Sequence, residues 1–138
     1  MFKYTAIVVD VDGTLAHMVD RSPYDPSLYH TDVIDEVVRD LANSYYLSGH
    51  KVVICSGRDD TYRDATLKWL KDNHVLCSEL LMRKAGDKRE DSIVKNELYI
   101  EHIKPNYNVL FVLDDRNRVV KMWRENGLKC FQVAEGDF

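Results

Sequence analysis

Apolar and polar positions along this chain fall into blocks, and the block boundaries coincide with residues that carry chemistry. Residues 6–9 (A-I-V-V) form a continuous apolar run, the pattern of a strand covered on both faces. The stretches 51–55 (K-V-V-I-C), 79–82 and 109–113 (V-L-F-V-L) read the same way, and a fifth strand is expected at 129–133. Between them, apolar residues recur at helical spacing. Val33, Ile34, Val37, Val38, Leu41 and Tyr45 predict a helix that begins at Asp32 and ends at Gly49. Further helices are expected over 61–73, over 91–103 with Pro105 as its stop, and over 118–125. Strands alternating with helices specify an α/β fold with a parallel sheet and right-handed crossovers. Residues 16–31 break the pattern. Ser22 and Asp25 each precede a proline there, and the segment reads as a turn-rich flap over the strand ends.

Three of the strands run directly into polar residues. The first leads into Asp10, Val11, Asp12, Gly13 and Thr14, the second into Ser56, Gly57 and Arg58, and the fourth into Asp114 and Asp115. In a parallel sheet these ends face the same way, onto the crevice where open α/β sheets bind ligands. Carboxylates gathered there repel one another, and Asp is a poor strand residue, so structure alone gives little reason to place them there. A hard cation among them removes the objection. Mg²⁺ takes oxygen ligands and completes its shell with water and substrate phosphate. Taken singly, the Asp114 and Asp115 pair could equally cap the next helix. Gly13 lets the chain turn sharply beside a ligand. The Ser56 hydroxyl can donate to a phosphate oxygen, and Arg58 can hold a phosphate or a carboxylate bidentately.

Composition narrows the class. At 138 residues, the chain fits one domain, large enough to bury a real core. No apolar run approaches the ~20 residues of a membrane span, and the N-terminal residues pass straight into the first strand, so no cleaved leader is expected. Cys55, Cys77 and Cys130 are odd in number and lack metal spacing; they read as buried free thiols of a cytoplasmic protein. A net charge of −4 disfavours nonspecific nucleic-acid binding but leaves room for a local basic cleft, such as Arg83, Lys84, Lys88 and Arg89 beside the strand ends.

The D-V-D-G-T motif after an apolar strand resembles motif one of the haloacid dehalogenase (HAD) superfamily, mostly Mg²⁺-dependent phosphohydrolases. The resemblance implies a Rossmann-like three-layer sandwich with a five-stranded parallel sheet and, from the short intervals here, no large cap domain. It makes Asp10 the nucleophile and Asp12 the general acid/base. The metal ligands would be the Asp10 carboxylate, the Asp12 backbone carbonyl and Asp115, with Asp114 behind it or as the alternate ligand. Such enzymes also need a basic residue beside the nucleophile. Lys95 is the first candidate, with Lys84, Lys88 and Arg89 as competitors. Spacing alone leaves an Asp91–Lys95 surface salt bridge equally open.

A narrower resemblance covers essentially the whole length. The stretches D-V-D-G-T-L-A, R-x-P-Y-D from Arg21, T-D-V-I, C-S-G-R, D-x-x-x-K at 91–95, D-D-R, M-W-R and Q-V-A-x-G-D-F are similar to the 3′-phosphatase domain of T-even phage polynucleotide kinase-phosphatase. That similarity places functional residues at Asp10, Asp12, Arg21, Arg58, Asp91, Lys95, Asp114 and Asp115; Ser56, Gly57 and the backbone N–H groups near Val11 to Gly13 are expected to complete the phosphate cradle. It implies a Mg²⁺-dependent polynucleotide 3′-phosphatase acting on DNA or RNA 3′ ends, 2′,3′-cyclic ends included, beside a separate kinase or ligase of end repair. The sequence contains no G-x-x-x-x-G-K-[ST] phosphate loop of a kinase. Two other functions fit the motifs: a phosphatase for small nucleotide or sugar phosphates, and a binding module that keeps the fold without turnover. Trp69 and Trp123 stand at helical positions and read as packing residues.

Overall fold

The computed structural model describes residues 3–19 and 21–138; Asp20, inside the expected flap, lies outside the described residues. Five parallel strands form one sheet: β1 (Tyr4–Val9), β4 (Lys51–Asp59), β5 (Glu79–Arg83), β6 (Tyr107–Asp114) and β7 (Cys130–Gln132), in the spatial order β5-β4-β1-β6-β7. From β1 the chain builds outward through β4 and β5, then returns to add β6 and β7 on the other side. The order therefore reverses between β1 and β6, where a crevice opens at the strands' carboxyl ends. Asp10 and the Asp114–Asp115 pair stand at the ends of those two strands, linked by an Asp10 N–H to Leu113 carbonyl bond of 3.0 Å.

Period-two alternation sends successive residues of β1 to opposite faces. Ile7 and Val9 join the core beneath α1 (Glu36–Leu47) and α2 (Arg63–Asp72), with Val38, Ala42, Trp69 and Leu70. Ala6 and Val8 join the opposite core beneath α3 (Asp91–Leu98) and α4 (Asn117–Glu125), with Val112, Val120 and Trp123. The same alternation carried one step past the strand turns Asp10 toward α3. A π-helical turn, Tyr99–Ile103, ends the segment expected as a single helix over 91–103.

Four expectations need correction. Asp32 does not start α1: Val33 and Ile34 form a short strand, β3 (Val33–Ile34), antiparallel to β2 (Ala16–His17). The helix begins at Glu36, capped by Asp35, whose carboxylate accepts from the Val38 N–H. Val37 and Leu41, assigned to its apolar face, are exposed. β4 also runs further than expected, through Ser56, Gly57 and Arg58 to Asp59, with an irregularity against β5 in that stretch. Cys55 and Cys130 are buried, whereas Cys77 is only half-buried; all three are free. Among the described residues no helix is long and apolar enough to cross a membrane.

Candidate active site

Asp10 sits at the floor of the crevice. Its Oδ1 accepts from Lys95 Nζ at 2.7 Å and its Oδ2 from Thr14 Oγ1 at 3.0 Å. Lys95, 2% exposed, comes from α3 and also donates to Asp114 Oδ2 at 3.0 Å. The competitors Lys84, Lys88 and Arg89 are exposed, and Arg89 is taken up by Asp87 and Glu97. Lys95 is thus the cation that meets Asp10.

Asp10, Asp114 and Asp115 are buried, and each offers a carboxylate oxygen within 4.8 Å of the others. Burial, reinforced by Asp114, holds the Asp10 carboxyl well above the ordinary carboxylate range, with Lys95 pulling the other way. Burial raises Asp115 too. Although burial works against its charge, Asp10 and Asp114 keep the Lys95 ammonium well above its usual range. One ammonium among three carboxylates leaves a deficit of positive charge in an all-oxygen donor set, which fits a hard divalent cation such as Mg²⁺.

The two neighbouring aspartates are not equivalent. Asp114 accepts from Lys95, from Trp123 Nε1 at 3.1 Å and from the N–H groups of Asp115 and Arg116. Asp115 receives a long bond from Thr14 Oγ1, 3.4 Å, and otherwise meets only the Asp10 carboxyl and its own backbone N–H. Oxygens already committed to four donors are poorer metal ligands, so the geometry favours Asp115. Gly13, at φ +84°, clears room for it; a Cβ there would overlap the Asp115 carboxylate.

A second cluster surrounds Asp12. Arg58 forks onto it, Nε to Oδ2 at 2.9 Å and Nη2 to Oδ1 at 2.7 Å. Arg58 also donates to Asp32 Oδ2 at 3.0 Å and Thr66 Oγ1 at 3.3 Å, and lies 3.7 Å above the Tyr29 ring. Arg21 grips Asp32 in a fork of 2.6 and 2.8 Å, and its Nη2 stands 3.5 Å from Asp12 Oδ1. The Arg21 side chain is only 1% exposed, so it is no solvated loop cation. The Asp12 side chain is 41% exposed, unlike the buried Asp10, Asp114 and Asp115. That access suits a group that must exchange protons with solvent.

Ser56 is fully buried, its Oγ accepting from the Arg58 N–H at 3.1 Å, which leaves the hydroxyl proton to donate elsewhere. Gly13 cannot join a phosphate cradle through its N–H, which donates to the Ala16 carbonyl at 2.9 Å. The N–H groups of Val11 and Asp12 have no such acceptor among the described residues. Asp91 does not pair with Lys95. It joins Arg83 and Arg116, the latter at 3.0 Å, and lies against Gly57, where a Cβ would overlap its carboxylate. Arg83 in turn holds the Gly57 carbonyl at 2.8 Å, so the expected basic cleft loses one member to the interior.

Three site residues escaped the sequence reading. Asp32, read as a helix start, is the buried anion between Arg21 and Arg58. Trp69 and Trp123, read as packing, also donate their indole N–H groups to the Asp32 carbonyl and the Asp114 carboxylate.

A parallel sheet whose switch point gathers Asp10, Asp12, Lys95 and an aspartate pair defines a HAD-type phosphatase. Residues 4–138 match the family described as the polynucleotide kinase PNKP phosphatase domain, and the chain belongs to that family. A protein of Autographa californica nuclear polyhedrosis virus, provisionally named a bifunctional polynucleotide kinase/RNA ligase, is 33% identical over 125 residues, 87% of this chain and 18% of that protein. A chain in the structure of the Pnkp1/Rnl/Hen1 RNA repair complex is 42% identical with a TM-score of 0.95, over 99% of this chain and 44% of that one. This chain therefore spans less than half of either relative. A class C acid phosphatase from Bacillus anthracis with tungstate bound shares the fold at 14% identity and a TM-score of 0.70, over 100% of this chain and 69% of that one.

Proposed function

We propose that this chain is a Mg²⁺-dependent polynucleotide 3′-phosphatase that works through an aspartyl-phosphate. The observation that carries the reading is the division of labour between two aspartates two residues apart: Asp10 buried against Lys95, and Asp12 half-exposed in the grip of Arg58. The Asp10 carboxylate attacks phosphorus, forming an Oδ–P bond while the P–O3′ bond breaks. Asp12 gives its proton to the departing sugar oxygen. It then takes a proton from water, which attacks the same phosphorus, releases inorganic phosphate and restores Asp10. Splitting the reaction in this way replaces one very slow displacement with two easier ones.

Mg²⁺, held by Asp10, Asp115 and the Asp12 carbonyl, would neutralise charge on the transferring group. Lys95 does the same from the α3 side. Four of the five N–H donors of Arg58 are spent on Asp12, Asp32 and Thr66, so its main task is to orient Asp12, leaving one N–H for the phosphate. Arg21 and Asp32 brace that fork. Ser56 and the N–H groups of Val11 and Asp12 bind phosphate oxygens. Asp91 fixes Gly57 beside them.

Specificity for a polymer end draws support from the short connections among the described residues, which hold no large cap, and from the repair-complex relative. The polynucleotide kinase/RNA ligase and the RNA repair complex among the relatives support a kinase or ligase module as the working partner, and the proposal sets this work in the cytoplasm. Turnover should be compared on a 3′-phosphorylated oligonucleotide, its 5′-phosphorylated isomer and a nucleoside monophosphate. Preference for the first is expected; equal rates on all three would reduce the reading to a general phosphatase.

A further inference from the structure

No group outside the carboxylate cluster and its own backbone holds the Asp115 carboxylate except Thr14 Oγ1, at 3.4 Å, yet the backbone that carries it is clamped by residues 132–136. Gln132 Nε2 donates to the Asp115 carbonyl at 2.9 Å and to Asn117 Oδ1 at 2.6 Å. The Asn117 N–H donates to the Gly136 carbonyl at 2.8 Å, and the Val133 N–H to the Asp114 carbonyl at 3.1 Å. Gly136 is buried directly against the Asp115 peptide, where a Cβ would overlap the Asp115 carbonyl and crowd Arg116 Cα. Beyond it, the Phe138 ring lies 4.6 Å from the Arg116 guanidinium, which also holds Asp91.

From this arrangement we infer that the segment 132–138 is a positioning element for the metal-binding aspartate, with Gln132 and Gly136 setting where the Asp115 carboxylate stands. A side chain so weakly held takes its position from its backbone, and here that backbone is held by Asp114, by Gln132 at the end of β7 and by the close approach of Gly136 beyond the sheet. A plain packing role would need neither the Gln132 bond to the Asp115 carbonyl nor a residue without a Cβ at 136. Groups behind a metal ligand commonly govern affinity by about 10- to 100-fold. The inference rests on the proposed Mg²⁺ site.

The test compares wild type, Gly136→Ala and Gln132→Ala by thermal melting with and without MgCl₂ in the absence of substrate, and by Mg²⁺ titration of phosphate release from p-nitrophenyl phosphate. Expected is an unliganded melting temperature close to wild type for Gln132→Ala and a lower one for Gly136→Ala, whose Cβ must displace the Asp115 backbone, with in both a smaller Mg²⁺-induced rise and a half-activating Mg²⁺ concentration raised about 10-fold or more. Turnover should recover at saturating Mg²⁺. If a variant melts early, its Mg²⁺ titration at a temperature where it is folded still decides. A wild-type Mg²⁺ response in both variants would overturn the inference and leave the segment as packing. A wild-type protein that ignores Mg²⁺ would overturn the proposed metal site itself.

Discussion

Arg58 and Asp12 are joined by two parallel hydrogen bonds, Nε to Oδ2 and Nη2 to Oδ1, at 2.9 and 2.7 Å. The fork fixes both the position and the rotation of the carboxylate, which a point charge cannot do. Arg58→Lys should therefore lower turnover by about 100-fold or more, the scale of lost acid–base catalysis. The Mg²⁺-induced rise in melting temperature should survive, because the proposed ligand at residue 12 is the backbone carbonyl. Steady-state kinetics alongside melting curves check both halves; activity near wild type would remove Asp12 positioning from the account.

Lys95 is the only cation in contact with Asp10 and Asp114 among the described residues. Lys95→Met should abolish turnover and, by leaving buried carboxylates uncompensated, destabilise the metal-free protein at neutral pH by about 3–5 kcal/mol. Denaturant melts should show the loss shrinking as the pH falls and the carboxyls take up protons. A loss that does not change with pH would point to packing instead.

The raised Asp10 and Asp115 carboxyls give a pH signature of their own. Both bind protons more tightly folded than unfolded. Their contribution to stability is most favourable below the ordinary carboxylate range and is lost as pH rises through the raised values. Mg²⁺ needs the ionised forms, so its stabilising effect should run the other way, larger near about pH 8 than near about pH 5. Melting temperatures with and without MgCl₂ at both pH values provide the check; a gain independent of pH would mean that these carboxylates do not hold the ion.

Asp115→Ala and Asp114→Ala should fail differently. Loss of Asp115 should remove the Mg²⁺ response and leave the unliganded melting temperature near wild type. Loss of Asp114 strands the Trp123 indole N–H and one Lys95 bond in the interior, which should cost about 1–3 kcal/mol for the unsatisfied donor as well as activity. Identical profiles for the two variants would leave no ground for choosing Asp115 as the ligand.

The strand ends were legible because the signal is local: an apolar run that stops abruptly at Asp10, Ser56 or Asp114 announces itself within a few residues. Asp32 was not, for two reasons. Asp32 and Asp35 are both good helix caps, and what selects Asp35 is the pairing of Val33 and Ile34 with His17 and Ala16, a contact that local periodicity does not encode. The helical apolar pattern from Val33 onward was in part a strand's. Trp69 and Trp123 satisfied a packing reading so fully that their single N–H groups went unused, though a buried indole needs an acceptor. Asp91 was legible as a site residue, but not its partners: Arg83 lies across a loop, and Arg116 lies far along the chain, just before α4.

The most direct test of the account is phosphate release from a 3′-phosphorylated oligonucleotide by wild type and Asp10→Asn, each with MgCl₂ and with EDTA. The amide is nearly isosteric with the carboxylate, relieves repulsion in the buried cluster, and cannot act as the anionic nucleophile. Release by wild type with Mg²⁺ alone, and by a folded Asp10→Asn variant under neither condition, is the predicted result. Turnover by Asp10→Asn, with the asparagine verified intact by mass spectrometry, would contradict it.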